Sequence, residues 1–348
     1  AGLVEHGVLA RLASLTPPLS APLLTTVATG RRPEEHGICG NAEPGAPAGT
    51  PISAQWRRGS TLWEIAARSG RTAVAVDWPA SLPAGELPGL VVAAGPAAMP
   101  ARVAADVAEL RVAANELGRE DLRPFWGGAD DLDPAREPRL AALMQRLARA
   151  AGTQSVATYL LENEPWDFAA VCFGAIGDLA GEFIEFMPPR LPQVSEADFA
   201  RYARVMEAAL ILHDRMLGRL LEIAGPETAV LVCSPRGWLA GARRPALAPG
   251  EHGQNIGREL PVGWAVLRAP GVKADELIFG CTLSDLAPNA LALLGLPVPA
   301  DWSGRVWHHA YIRPAPVAGV PTLEPAPLAA PEFPEAAVEL RYLQASYL

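Results

Sequence analysis

Lysine is almost missing from this chain. Lys273 is the only one, and every other member of the 29 basic residues is arginine. With 35 prolines and abundant alanine beside it, that skew reads as a bias of the coding sequence rather than a functional feature. Basic charge is in deficit overall, with a formal net charge of -9, which excludes a nucleic-acid backbone as the natural partner. Cysteine is scarce and scattered: Cys39, Cys172, Cys233 and Cys281 form no Cys-x-x-Cys pair. Cys172 and Cys233 sit in the apolar runs Ala-Ala-Val-Cys-Phe and Val-Leu-Val-Cys-Ser, the pattern of buried reduced thiols in a cytoplasmic setting. No apolar run is long enough to span a membrane, and no secretory leader pattern is visible. Internal repeats are absent. So are a Gly-x-Ser-x-Gly elbow and any histidine spaced to complete a serine-hydrolase triad.

What is present is a chain of 348 residues, 50% hydrophobic, enough for a large domain with a real core. Leu3 to Leu15 reads as an amphipathic helix fading into an extended segment. Ser60 to Ser69 reads as a helix capped by Ser60 and stopped by Gly70. Thr72–Val76 and Leu90–Val92 are short β-branched strands. Ala101–Arg111 and Arg139–Ala151 are helical by period. Asp130, Asp131 and Asp133 lie in a polar turn that lacks the glycine and terminal glutamate of a calcium loop, and read as solvated. Phe168–Phe173 and Ala229–Cys233 are continuous apolar strands expected to be buried, with one long helix, Phe199–Leu221, between them. Strands at Val262–Leu267 and Glu276–Phe279 and a helix at Leu286–Leu294 follow. Alternating strands and helices of this kind predict an α/β fold with a mainly parallel sheet covered on both faces. Residues 1–310 form that domain, with about 97–165 as a helical insertion or cap. Residues 311–348 form a Pro/Ala-rich extension.

The stretch Thr16–Ile38 concentrates the local signals. Pro17-Pro18 holds an extended approach, and Ser20 is placed to start a helix with Pro22 in its first turn. Leu23–Thr29 is apolar and helical, and Gly30 can end it in a left-handed conformation. A serine at a helix N-terminus suits either a plain N-cap or a nucleophile and anion site, because free N–H groups and the helix dipole favour negative charge there.

This stretch, Pro-Pro-Leu-Ser-Ala-Pro through Thr29-Gly30, Pro33 and His36-Gly-Ile, resembles the nucleophile segment of the alkaline phosphatase superfamily, in its type I phosphodiesterase / nucleotide pyrophosphatase branch. The resemblance continues through Trp166-Asp to Pro189, Thr228 to Trp238, Arg258 to Pro270 and Ser284 to Arg305. It implies an alkaline-phosphatase-like three-layer sandwich with Ser20 in the nucleophile position. It also implies a pair of divalent metals such as zinc, held by carboxylates and imidazoles at strand ends. The ligand positions, however, carry Gly177, Gly181, Pro235, Arg236 and Glu259. Glycine and proline have no ligating side chain, and arginine is a fixed cation. The family's first central strand, with its Asp ligand, would precede Leu3 and is absent from this sequence. Asp178, Glu182 and His252 are the candidates for a shifted ligand set. The resulting expectation is a pseudoenzyme without a metal cofactor. Its old cleft, with Arg236 beside Ser20, would bind a phosphorylated or sulfated small molecule or a partner. The alternatives are a metal-dependent phosphoric-ester hydrolase rebuilt around Ser20, and a non-catalytic subunit of a complex.

Overall fold

The structure is a computed structural model, and it describes residues 2–47, 50–82, 89–92, 98–127, 133–244, 259–313 and 317–325. His252, Asp130 and Asp131 lie outside the described residues, as does most of the Pro/Ala-rich extension. The strands are β1 (Val8–Ala13), β2 (Ala73–Val76), β3 (Gly89–Val92), β4 (Ala98–Met99), β5 (Phe168–Val171), β6 (Val230–Ser234), β7 (Gly237–Trp238), β8 (Glu259–Leu260), β9 (Val262–Arg268), β10 (Glu276–Thr282), β11 (Val298–Pro299) and β12 (Gly319–Val320). The helices are α1 (Ser20–Thr29), α2 (Pro33–His36), α3 (Leu62–Arg68), α4 (Ala104–Glu109), α5 (Arg119–Leu122), α6 (Pro138–Asn163), α7 (Gly174–Phe183), α8 (Glu196–Tyr202), α9 (Val205–Ala224) and α10 (Leu286–Leu293).

Two four-stranded sheets carry the domain, in the orders β10-β1-β9-β6 and β4-β3-β2-β5. The fold is α/β as expected, with mixed strand directions. β1 runs parallel to β10, β2 runs parallel to β3 and β5, and β9 runs antiparallel to both β1 and β6. On one face, Val8, Ala10 and Leu12 of β1 pack with Ala265, Leu267 and Ile278 against Leu23 and Val27 of α1 and Leu286 of α10. Ala73 and Ala75 of β2 meet Trp63 and Ala66 of α3 on that same side. On the opposite face, Val74, Val76, Leu90 and Val92 pack against Val107 of α4 and Val156, Ala157 and Leu160 of α6. A separate core joins α6, α7, α8 and α9 through Leu143, Leu179, Phe183, Tyr202 and Ala209. Among the described residues no helix is long and apolar enough to cross a membrane.

Four local expectations are corrected. Leu3–Leu15 is not a helix but contains β1, because β9 and β10 flank it and take its alternate residues Val8, Ala10 and Leu12 into the core. The helix at Ser60–Ser69 is capped by Thr61, whose hydroxyl accepts from the Glu64 N–H while the Glu64 carboxylate accepts from the Thr61 N–H. Ser60 instead bonds the Glu324 carboxylate through both its N–H and its hydroxyl. The stretch Phe199–Leu221 divides into α8 and α9. Finally β5 and β6, apolar enough for burial, are half-buried along their whole length, whereas β2 is buried throughout.

Candidate functional site

Ser20 follows the loop after β1 and opens α1. Leu19 is extended, with φ -78° and ψ 136°, and is the residue that caps the helix, so Ser20 is its first helical residue rather than its cap. The hydroxyl of Ser20 is therefore not spent on the helix. Pro22 brings no N–H, the Leu23 N–H closes back on the Leu19 carbonyl at 3.1 Å, and the Ala21 N–H donates to Asn41 Oδ1 at 2.8 Å. Asn41 was not singled out from the sequence. Its Gly40-Asn41 step reads as a turn, and only the fold brings it to the start of α1. At the other end Gly30 adopts φ 65° and its N–H reaches the Thr26 carbonyl, the left-handed stop expected there.

Arg236 comes to Ser20 from the far end of the chain, just past β6. Its Nη1 donates to Ser20 Oγ and to the Pro18 carbonyl, each at 2.8 Å. Its Nε faces Glu259 Oε1 at 3.2 Å, and both side chains are largely buried. The pairing of β7 with β8 sets Glu259 opposite Trp238, and the Arg236 guanidinium also lies over the Trp238 ring, 5.5 Å from its centre. Burial raises the Glu259 carboxyl above its ordinary value of 4.5, and the adjoining Arg236 charge offsets part of that rise. Ser20 Oγ thus accepts from a fixed cation with one of its two lone pairs.

Gly177 and Gly181 lie in α7, which starts directly beyond β5. A β-carbon added at Gly177 would stand 3.3 Å from Arg236 Nη2, so this glycine is where the α7 backbone faces the arginine. Pro235 lies between β6 and Arg236. Asp178 and Glu182 share a face of α7, and that face meets α6. Arg149 Nη1 lies 3.0 Å from Asp178, and Arg146 Nη2 lies 2.7 Å from Glu182. Their charge is neutralised by α6. Among the described residues no three His, Cys, Asp or Glu side chains converge as a metal site. The two-metal centre implied by the resemblance does not fit this donor set, since glycine and proline offer no donor, and Glu259, the one carboxylate in a ligand position, is paired with a guanidinium.

His36, from the His-Gly-Ile end of the same stretch, is fully buried. The Ile38 N–H donates to its Nδ1 at 3.1 Å, which leaves Nε2 to donate to Thr26 Oγ1, also at 3.1 Å. Burial lowers its pKa to about 3, so it stays neutral and serves the packing of α1 on α2.

Comparison with known proteins accords with this layout. The human ectonucleotide pyrophosphatase / phosphodiesterase 5 structure superposes with a TM-score of 0.53 at 11% identity, covering 88% of this chain and 91% of that one. A candidate sulfatase from Bacteroides thetaiotaomicron gives a TM-score of 0.49 at 16% identity, covering 88% of this chain and 67% of that one. The murine phosphodiesterase 5 counterpart gives 0.48 at 11% identity, with 86% and 91% covered. Identities this low speak to the fold alone, which is shared with the human protein. A search of curated proteins finds no match. The family model described as type I phosphodiesterase / nucleotide pyrophosphatase matches residues 1–241, more than half of the sequence, and the chain belongs to that family.

Proposed function

We propose that this protein is a member of its family without metal-dependent hydrolysis, and that the Ser20–Arg236 pair binds a small phosphorylated or sulfated molecule. The observation that carries the reading is the Arg236 guanidinium bonded to Ser20 Oγ at 2.8 Å, in one of the positions where the family resemblance calls for a metal ligand. A guanidinium supplies the positive charge a metal would bring, and its fork matches two oxygens of a phosphoryl or sulfuryl group. It supplies no activated water and no Lewis-acid site for a leaving oxygen. The N-terminus of α1 lies beside it, with its dipole favouring an anion. Glu259 acts as the resident counter-ion, so an incoming anion displaces a carboxylate rather than meeting a bare charge.

The test is calorimetric titration with inorganic phosphate, sulfate and AMP, beside a hydrolysis assay on bis-p-nitrophenyl phosphate in the presence of zinc or manganese. Binding that disappears in Arg236→Ala, without turnover in either protein, is the expected result. Two metals per chain together with turnover lost in Ser20→Ala would establish a rebuilt hydrolase and overturn the proposal.

A further inference from the structure

Arg149 reaches the first turns of α7 from one flank, as Arg236 does from the other. It lies on α6, and its Nη1 donates to Asp178 Oδ2 at 3.0 Å. Its Nη2 lies beside Gly174, 3.2 Å from where a β-carbon would stand, much as Arg236 Nη2 lies 3.3 Å from that position on Gly177. Residues three apart on a helix face the same way, with β-carbon positions about 5–6 Å apart. The two Nη2 atoms are therefore within about 12 Å of each other. Asp178, on the Arg149 side, is turned about 100° round the helix from Gly177, on the Arg236 side.

Each guanidinium has one end committed and one end open. Arg236 gives Nη1 to Ser20 Oγ and the Pro18 carbonyl, and sets Nε against Glu259. Arg149 gives Nη1 to Asp178. Among the described residues neither Nη2 has a hydrogen-bond partner, and neither is shut off from solvent. Glycine at 174 and 177 puts no side chain of α7 in front of either atom.

The carboxylates on this side of the sheet do not hold the open ends. Asp77 is taken by both Nη groups of Arg111, at 2.9 and 2.6 Å, and by the Thr153 hydroxyl. Asp178 is shared, since Arg146 Nη1 lies 3.9 Å from it. The Arg149 and Asp178 side chains are 42% and 35% exposed, and an ion pair so open to water contributes little. Arg149 can turn to a ligand at small cost, and Asp178 keeps Arg146 when it does. Arg236, largely buried and held at three points, cannot turn in that way. One arginine is a fixed seat and the other an adjustable arm.

On the anion reading of the Ser20–Arg236 pair, on which this step rests, we infer that Arg149 is a second anion-recognising residue and that the ligand carries two phosphoryl or sulfuryl groups. The first sits on Arg236 beside Ser20. The second, a short spacer away, accepts from Arg149 Nη2 in a charge-assisted hydrogen bond. A ligand with one such group uses Arg236 and gains nothing from Arg149.

Calorimetric titration with propyl phosphate and with propane-1,3-diol bisphosphate, at constant ionic strength, tests the inference. The parent protein is expected to bind the bisphosphate at least about tenfold more tightly. Arg149→Gln should abolish that preference while leaving the affinity for propyl phosphate within about twofold of the parent. Its melting temperature should stay near that of the parent, because the ion pair it removes is exposed. Asp178→Asn releases Arg149 and should strengthen binding of the bisphosphate alone, a gain that misfolding cannot produce. A preference that survives in Arg149→Gln, or a parent without one, overturns the inference. So does an equal loss for both ligands in Arg149→Gln, which would mean one anion bridging the two arginines. Arg236→Ala separates this step from the reading beneath it. If it weakens both ligands while Arg149→Gln behaves as the parent, the Ser20–Arg236 site stands without its second arm. Unchanged binding in Arg236→Ala removes both.

Discussion

The segment that resembles the family's nucleophile region and the strand ends that face it sit in opposite surroundings, one buried and the other half-exposed. From Pro17 to Ile38 the family pattern is kept nearly position for position, and in the structure α1 is buried along almost its whole length. Leu23 and Val27 lock it to β1, β9 and β10, and His36 ties it to α2 through Thr26. At the ends of β5 and β6, Gly177, Pro235 and Arg236 stand in the positions where the resemblance calls for ligands, and the surroundings are half-exposed. The contrast teaches that the residues of a motif can be held by packing, whatever chemistry the facing site performs. A side chain at a strand end can be exchanged without opening the core, whereas one on the inner face of α1 cannot.

The largest effects on stability should therefore fall in this buried segment. Leu23→Ala removes a side chain with 0% exposure and is expected to destabilise the protein by about 3 kcal/mol, read from urea unfolding. Acid should act through His36. Its folded pKa is about 3 against 6.5 when unfolded, so below 6.5 the unfolded chain takes up a proton that the folded one refuses. The neutral-His contribution is complete above 6.5 and is lost as pH falls toward 3, at up to about 1.4 kcal/mol per pH unit. His36→Asn should flatten that part of the stability profile. An unchanged slope would place the acid sensitivity elsewhere.

This division was only half legible beforehand. Apolar, β-branched runs mark β2, β3, β5, β6, β9 and β10, because such a run needs no distant information to be recognised as a strand. β1 reads as helix because Leu3, Val8, Leu12 and Leu15 also recur at helical spacing, and the strands that hold it extended lie far along the chain, with Ala13 paired to Val262. That Gly177, Gly181 and Pro235 offer no donor side chain is readable directly from the residue types. The contact of Arg236 with Ser20 spans 216 positions and followed from the family frame rather than from local pattern. Asn41 at the Ala21 N–H and the Trp238 ring under Arg236 had no sequence signal at all, since each depends on where a loop or a two-residue strand folds back.

At the strand ends the effects should appear in binding as well as in stability. Arg236→Ala is expected to weaken phosphate or sulfate binding at least about tenfold, the loss of one charge-assisted contact, and to cost up to about 3 kcal/mol of unfolding free energy, since it leaves the largely buried Glu259 carboxylate without its partner. Glu259→Gln should do the reverse. It removes the carboxylate that competes for Arg236, so anion binding tightens. In the parent protein affinity should rise as pH falls toward the Glu259 pKa, which burial holds above 4.5, because protonation releases the guanidinium to the ligand. Titrations at several pH values should show that dependence in the parent and not in Glu259→Gln. A pH-independent parent would remove Glu259 from the role of counter-ion.

The smallest expected effect belongs to the residue that resembles the nucleophile most closely. Ser20→Ala deletes one acceptor for Arg236 and nothing else that holds the helix, because Leu19 is the cap and the Ser20 hydroxyl makes no capping bond. Arg236 keeps the Pro18 carbonyl at 2.8 Å and the Glu259 carboxylate at 3.2 Å. The cost should be within about 1 kcal/mol in stability and a few-fold in anion affinity, the net worth of a single hydrogen bond. A nucleophile behaves otherwise: its removal abolishes turnover while leaving ground-state binding nearly intact. Measuring phosphate affinity and phosphodiester turnover on the same Ser20→Ala protein therefore separates a serine that supports an arginine from one that attacks phosphorus.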